Sequence, residues 1–264
     1  MEENKKKHIS ARGLIRALAL VAALTAAAAI VWQLYIYKQG EETYEELRGR
    51  YTAPALGAGQ EAAGNKTGGE GPDFELLNVD FEALRAQNPD VVGWIDFDAI
   101  ELSYPVVWSG DNDTYLRTLW DGTPNTAGSV FMEGANTGWQ DLHVILYGHN
   151  MRNRSMFGNL REYRDEDFYR ENGGWFTLYT PEDGVWRYEI FGAKQVSSDD
   201  PLYTVGFSLG EGYTEFLKEM CRGRFYETGV TLYSEDHVMT LSTCVGDDAQ
   251  RLVILARRAG QVEE

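Results

Sequence analysis

Three residues of this 264-residue chain could together carry out acyl transfer. Cys244 offers a nucleophilic sulfur at the end of an alternating segment, and Arg251 offers a cation at the start of the next segment. His149, far upstream, offers a group that can both give and take a proton. A thiol nucleophile usually needs a proton-transfer partner, and the oxyanion formed on an attacked carbonyl needs a donor such as a guanidinium. These residue types indicate a thiol-dependent covalent reaction if the fold brings them together.

A β-hairpin is predicted around the cysteine. Residues 238–243 alternate in polarity, residues 245–250 have the composition of a turn, and residues 252–255 form the returning strand. Cross-strand neighbours lie about 5 Å apart, so Arg251 is expected opposite Cys244. The same pattern fits an ordinary edge hairpin with a small buried cysteine and a surface arginine, and this alternative stays open here.

Position in the sequence, together with distance along the strands, favours His149 among the four histidines. His8 is separated from the predicted domain by a long apolar segment. His237 is predicted on the same strand as Cys244, about 23 Å away from it, which is too far for contact. His143 and His149 lie about 20 Å apart on another strand, so at most one of them reaches the site. His149 follows the end of that strand, where functional residues collect, whereas His143 is expected to face solvent or to cap. A turn histidine satisfied by backbone groups remains the alternative for His149.

Composition and charge narrow the class of protein. The chain is 43% hydrophobic and 25% charged, which suits one sizeable domain with appendages. Its first 37 residues hold five of the 24 basic and two of the 41 acidic side chains, so the remainder carries 19 basic against 39 acidic, a net charge of −20. Such an acidic domain is a poor partner for nucleic acid.

The N-terminal region has the composition of a membrane anchor. Residues 17–37 are apolar except for Gln33, and this length can cross a bilayer as a helix. Basic residues precede the run, which predicts a cytoplasmic tail at 1–16 and an extracellular remainder in a single-pass protein of the cell membrane. A cleaved signal peptide is the alternative because residues 26–29 are alanines, but the apolar run continues beyond them.

The remaining chain divides into a connection and a folded domain. Residues 38–72 are predicted to form a stalk and a flexible linker, because 53–72 contain six glycines and two prolines. Residues 73–264 are predicted to form the catalytic domain. Many short strands with few helices favour a mainly antiparallel barrel or sandwich. The predicted strands are 91–97, 100–106, 129–133, 143–147, 175–180 and 185–196; helices are predicted at 81–87, 156–171 and 211–222, with a short helix or turn at 112–120.

The chain has two cysteines, Cys221 and Cys244. A structural disulfide between them is one alternative in an oxidising compartment, and it would remove the nucleophile. Cys221 falls in a helical pattern whose apolar neighbours suit a buried thiol instead.

Two motifs resemble the signature stretches of class B sortases. One is Leu241-Ser242-Thr243-Cys244 followed by Arg251, and the other is Leu146-Tyr147-Gly148-His149-Asn150-Met151. The resemblance covers about residues 73–258 and extends to Val92-Gly93-Trp94-Ile95, Tyr104-Pro105-Val106-Val107, Asn112-Asp113-Thr114-Tyr115-Leu116 and Gly128-Ser129-Val130-Phe131-Met132.

The resemblance implies a fold and an activity. The fold would be mainly β with added helices: a closed sortase-type barrel of about eight strands, N-terminal helices, and a helix before the last strands. Cys244 would attack the bond after the Thr of a C-terminal sorting signal on a secreted protein, with His149 transferring protons and Arg251 stabilising the oxyanion. Asn112, Leu116 and Ser242 match positions that contact the sorting peptide.

The same resemblance implies the partners. The acceptor would be an amine of a lipid-linked peptidoglycan precursor, or a pilin lysine in a polymerising enzyme, and no metal or organic cofactor would be needed. Two features depart from the family pattern: the short loop between Cys244 and Arg251, and Glu133 where aspartate is common. The alternatives are an L,D-transpeptidase-like cell-wall enzyme, in which a histidine is expected beside the cysteine motif, and a non-catalytic anchored binding module.

Overall fold

The computed structural model describes residues 11–55, 71–245 and 247–262. Most of the predicted flexible linker, residues 56–70, lies outside the described residues. The helices are α1 Ala11–Tyr51, α2 Phe81–Gln87, α3 Glu166–Asn172 and α4 Glu211–Met220, with 3₁₀ helices at Thr114–Leu116, Phe157–Arg164 and Pro201–Tyr203. The strands are β1 Thr52–Pro54, β2 Leu77–Val79, β3 Val91–Phe97, β4 Ser103–Val107, β5 Val130–Met132, β6 His143–Tyr147, β7 Trp175–Thr180, β8 Gly184–Ser197, β9 Val238–Val245 and β10 Asp247–Val262.

Eight strands close into a barrel in the order β10-β8-β7-β3-β4-β5-β6-β9. This confirms the predicted closed barrel over the sandwich. Most neighbouring pairs are antiparallel, but β4–β5 and β6–β9 are parallel. The β6–β9 pairing sets two strands side by side whose paired residues, such as His143 and Val238, are 238 − 143 = 95 positions apart in sequence. Both strands run toward the same end of the barrel. That end carries the site residues described below.

Large apolar side chains fill the barrel and explain its closure. Phe97 stacks on Phe176 with ring centroids 4.6 Å apart, and Phe176 stacks on Tyr188 at 5.1 Å. Ile95 and Leu178, which are paired across β3 and β7, are fully buried in the core. Burial of such side chains contributes about 1.5–3 kcal/mol each, and aromatic pairs add to this. The apolar positions of the alternating segments therefore form the inward face of the packed barrel.

The single helix predicted at 156–171 is wrong. A 3₁₀ helix, Phe157–Arg164, ends at Asp165, and α3 begins at the next residue. Asp165 has an extended backbone, and its carboxylate accepts the Asp167 amide, which is the geometry of an N-cap. A residue that caps a new helix cannot also continue the previous one. The amphipathic pattern spans both helices and does not reveal the break.

The predicted stalk differs from the structure in its first part. Helix α1 continues to Tyr51, and its side chains Tyr44, Leu47 and Tyr51 are buried in the main core. Strand β1 then pairs antiparallel with β2, with Thr52 opposite Val79. The described part of the chain that follows the apolar segment thus packs on the barrel instead of standing away from it, because its apolar residues recur at helical spacing.

His143 was expected to face solvent or to cap, and this is wrong. The residue is fully buried in β6, with Nδ1 2.8 Å from the Thr204 carbonyl and Nε2 2.9 Å from the Thr240 hydroxyl. A carbonyl only accepts, so Nδ1 carries the hydrogen and Nε2 accepts from Thr240 in the neutral ring. Burial lowers the pKa of His143 from 6.5 to about 4.

This burial predicts a loss of stability in acid. The pKa of His143 is lower in the folded chain than in the unfolded chain, so the unfolded state binds more protons between pH 6.5 and about 4. Protonation of His143 through that window is expected to lower the free energy of unfolding by about 3 kcal/mol, at about 1.4 kcal/mol per pKa unit. Denaturant unfolding of the wild type and of His143→Gln at pH 7 and pH 4.5 measures the difference.

The comparison between variants isolates the histidine. Burial also raises the pKa of Asp96 to about 6, which acts with the opposite sign, but it does so in both proteins. His237→Gln is the control, since His237 is only partly buried, and a smaller change is expected. If His143→Gln loses as much stability in acid as the wild type, His143 is not the acid-sensitive group.

Candidate active site

The parallel pairing of β6 and β9 brings His149 beside Cys244. Tyr147 is paired with Ser242, and the Gly148 amide donates to the Ser242 carbonyl at 3.2 Å, so the ladder continues past the end of β6. His149 lies two residues beyond Tyr147, and Cys244 lies two residues beyond Ser242. Adjacent strands are about 4.8 Å apart. The register therefore places the histidine and the cysteine on neighbouring segments at one end of the barrel.

On its other side, β9 pairs with β10, and Cys244 is directly opposite Arg251. This confirms the predicted cross-strand pairing. The predicted turn at 245–250 is mostly strand instead: β9 runs to Val245, β10 begins at Asp247, and the register shifts between Asp247 and Arg251. His149 follows β6, Cys244 is in β9 and Arg251 is in β10. These are three neighbouring segments of the barrel, and Cys244 is on the middle one.

The His149 ring is oriented by the segment that precedes β5. Its Nε2 lies 2.7 Å from the carbonyl of Leu116, the last residue of the first 3₁₀ helix. Because that carbonyl only accepts, Nε2 carries the hydrogen in the neutral ring. Nδ1 is then the nitrogen able to take up or release a proton during a reaction. A histidine fixed in one tautomer by a backbone carbonyl has the arrangement of a general acid–base group.

Arg251 lies where a cation could act on the site. Its Nη1 donates to the Gln250 carbonyl at 3.2 Å, and its backbone is paired with that of Cys244 across β9 and β10. Two later arginines of β10 have structural partners. Arg257 forms an ion pair with Glu189 at 2.7 Å, and Arg258 lies over the Trp186 ring at 4.5 Å.

The three residues predicted to contact a peptide have different environments. Leu116 is 38% exposed and adjoins His149 through its carbonyl. Asn112 is exposed, and its Nδ2 donates to Glu133 Oε1 at 2.8 Å. Ser242 is buried, and its hydroxyl is 2.8 Å from the Tyr203 hydroxyl. Direct contact with a ligand is thus open to Leu116 and Asn112, while Ser242 supports Tyr203.

Two tyrosines next to these residues were not singled out from the sequence. The rings of Tyr147 and Tyr203 stack with centroids 6.3 Å apart, and the Tyr147 hydroxyl donates to Glu133 Oε2 at 2.7 Å. Burial, and then this carboxylate, raise the pKa of Tyr147 well above its usual range. Tyr147 could have been found from the position just before Gly148-His149. Tyr203 comes from the loop after β8, and no local pattern marks it.

Gly128 is a further residue that the site requires. Its φ of +58° lies in the left-handed region, and a Cβ there would come within 2.6 Å of the Leu116 carbonyl oxygen and 3.1 Å of His149 Cδ2. Only glycine allows both the backbone conformation and the close approach of these groups.

The remaining candidates for chemistry are less suited to it. Among the described residues, Cys221 is a free cysteine, half-buried at the C-terminal end of α4, which speaks against the disulfide alternative. Burial raises the pKa of its thiol, so it is a weaker nucleophile than an exposed cysteine. Across the described ranges, no group of three or more His, Cys, Asp or Glu side chains is arranged to hold a metal ion.

Comparison with known proteins identifies relatives. A family described as sortase domain matches residues 95–259. Sortase B of Listeria monocytogenes is 31% identical over 215 residues, which cover 80% of this chain and 80% of that protein.

Solved structures give the same relationship. Sortase B from B. anthracis superposes with a TM-score of 0.71 at 28% identity, covering 86% of this chain and 100% of that one. A complex of Staphylococcus aureus sortase B with substrate superposes with a TM-score of 0.64 at 29% identity, covering 69% of this chain and 85% of that one.

Proposed function

This chain belongs to the sortase family of transpeptidases as a class B member, and on that basis we propose that it cleaves a C-terminal sorting signal after Thr and transfers the protein to a cell-wall amine. The observation that carries the proposal is the strand register. It sets His149 beside Cys244 across β6 and β9, and Arg251 opposite Cys244 across β9 and β10. This register supports a site in which a nucleophile, a proton carrier and a cation would meet at one end of the barrel.

The proposed reaction has two acyl-transfer steps. The Cys244 sulfur attacks the Thr carbonyl as a thiolate, and His149 gives a proton to the departing amine when the peptide bond breaks, which leaves a thioester. An incoming amine attacks the thioester, the C–S bond breaks, and His149 takes the proton that the amine loses. In both steps Arg251 donates hydrogen bonds to the oxygen that carries the negative charge.

The surroundings suit a peptide. Leu116 offers an exposed apolar side chain, and its carbonyl contacts His149. Tyr147, two residues before His149, offers a ring that stacks on Tyr203. Asn112 adds an exposed amide nearby, held by Glu133. Aromatic and apolar surfaces with a few fixed polar groups are typical of such binding sites. The superposed structure of Staphylococcus aureus sortase B is a complex with substrate, which supports substrate binding by a protein of this fold.

We also propose that α1 anchors the enzyme in the cell membrane. Helix residues Arg12–Tyr51 include an 18-residue window of mean hydropathy 2.3 that is not buried in the protein. Residues 1–16 would be cytoplasmic, 17–37 would span the bilayer, and the domain would be extracellular, because basic residues precede the apolar run. A secreted substrate and a lipid-linked acceptor would then meet the site at high effective concentration.

A peptide screen on the full chain in detergent micelles tests the proposal. Fluorogenic peptides varied around Thr-Gly and Thr-Asn are expected to be cleaved after Thr, and added amines are expected to yield the transfer product by mass spectrometry. Peptidoglycan-type amines and a lysine-bearing pilin-type peptide, offered as competing acceptors, separate anchoring from pilus assembly. If no peptide is cleaved and no thioester forms, the chain acts instead as a non-catalytic binding module.

A further inference from the structure

Two segments enclose His149, and each has a strained or crowded backbone. On one side, Gly128 with its φ of +58° packs against the Leu116 carbonyl and the His149 ring. On the other side, the chain after His149 folds back so that Phe157 N donates to His149 O at 3.0 Å. Met156 in this second segment has a φ of +53°, which is unfavourable for a residue other than glycine. Such conformations persist only where neighbouring groups hold them.

Tyr44 of α1 is linked to both segments. Its hydroxyl donates to the Gly128 carbonyl at 2.8 Å, and the side chain is buried. Its ring meets the Tyr104 ring edge to face at 5.1 Å, and the Tyr104 hydroxyl accepts the Met156 amide at 3.0 Å. A single helical residue thus reaches the first segment directly and the second through Tyr104.

An open groove of about 780 Å³ lies between α1, the loop after β3 and the loop after β6, and Tyr44, Tyr104 and Met156 border it. Met156 itself is fully buried in the main core. Its hydrogen bond to Tyr104 therefore acts together with close packing to hold its backbone conformation.

The same helix continues into the apolar segment. The Ile36 carbonyl accepts from Asn125 Nδ2 at 3.3 Å, and a Cβ at Gly40 would lie 3.4 Å from the Ala127 Cβ, which is ordinary contact. Ala127 immediately precedes Gly128, and Asn125 lies three residues before it. From Ile36 to Tyr44, α1 is therefore joined to the segment that holds the His149 ring.

From this geometry we propose that Tyr44 is a positioning residue for His149, so that α1 orients the proton carrier as well as tethering the domain. The expected loss of activity rests on the proposed function. The expected change in the position of the His149 ring rests only on the contacts above. Without the Tyr44 hydroxyl, the buried Gly128 carbonyl loses its donor, and the Gly128–Leu116–His149 contact relaxes. His149 then adopts a wider range of orientations relative to the cysteine.

The test is Tyr44→Phe in the full chain, which removes only the hydroxyl and keeps the ring against Tyr104. We expect kcat to fall about tenfold with KM unchanged, because misplacement of a catalytic group slows chemistry more than binding. The matched control is Tyr51→Phe. Tyr51 is also a buried tyrosine of α1, but its hydroxyl donates to Gln87 Oε1 at 2.9 Å, away from His149.

A second readout does not depend on activity. The ring carbon–proton NMR signal of His149, assigned with His149→Gln, is expected to shift at pH 7.5 in Tyr44→Phe and in Tyr104→Phe but not in Tyr51→Phe. An unchanged His149 signal in Tyr44→Phe, or an equal change in Tyr51→Phe, overturns the proposal. Peptide cleavage by the wild type decides the proposed function separately, since an inactive wild type still gives this NMR result.

Discussion

Cys244→Ala is expected to abolish both peptide cleavage and amine transfer, with a loss of about 10⁴-fold or more. The reason is chemical: without the sulfur no thioester forms, and water or an amine would have to attack the peptide bond directly. Intact-mass spectrometry of the wild type incubated with peptide and no amine should show the acyl-enzyme, and the variant should show none. Because Cys244 lies in a strand of the barrel, thermal unfolding checks that the variant is folded.

The matched control for this prediction is the other cysteine. Cys221→Ala removes a free, half-buried thiol at the end of α4 and is expected to keep wild-type cleavage and acylation. The assignment of the nucleophile is contradicted if Cys244→Ala still cleaves peptide at a rate near that of the wild type, or if the acyl group is found on Cys221.

Arg251→Ala is expected to lower kcat by about 10²- to 10³-fold, the range found when one oxyanion donor is removed. Arg251 is paired with Cys244 across β9 and β10. In the proposed reaction, loss of its guanidinium would leave the developing negative charge without its cation. Arg251→Lys should recover only part of the activity, since an ammonium keeps the charge but lacks the planar pair of donors. Steady-state kinetics with the best peptide of the screen give the comparison.

A second arginine of the same strand provides the control for charge and fold. Arg257 is six residues farther along β10, and its ion pair with Glu189 is partly buried. Arg257→Ala removes an identical charge and is expected to reduce thermal stability but to leave kcat within about threefold of the wild type. Equal losses of kcat in Arg251→Ala and Arg257→Ala would mean that the effect comes from net charge or stability, and not from an oxyanion contact.

Local patterns were sufficient wherever the interacting residues are close in sequence. The pairing of Cys244 with Arg251 follows from one hairpin, and α2 begins at the predicted position, where Asp80 accepts the Ala83 amide at 2.9 Å. The predicted strands 175–180 and 185–196 pair as the hairpin of β7 and β8, and Pro181-Glu182-Asp183-Gly184 between them has the composition of a turn. Short connections leave few alternative registers, so the residues themselves encode these elements.

Local patterns failed where an element depends on distant partners. His143 follows an acidic, polar segment and looks exposed, yet Thr204, Thr240 and the Phe216 ring enclose it. The charged stretch after the apolar run looks like a free stalk, yet Tyr44 and Leu47 find a place in the core. Whether a partly apolar face of a helix or strand is buried depends on the surfaces that the rest of the chain packs against it.

The sequence by itself determined the candidate chemistry: a cysteine and an arginine joined by a hairpin, one histidine left by distance arguments, and an apolar segment long enough to span a bilayer. Only the tertiary structure decided that β6 lies parallel to β9 and so sets His149 beside Cys244, and that Tyr44 of α1 supports both segments around that histidine. The physical reason is that a parallel pairing between distant strands, and the docking of a helix on a barrel, are chosen by the burial of the whole core and not by any short stretch of residues.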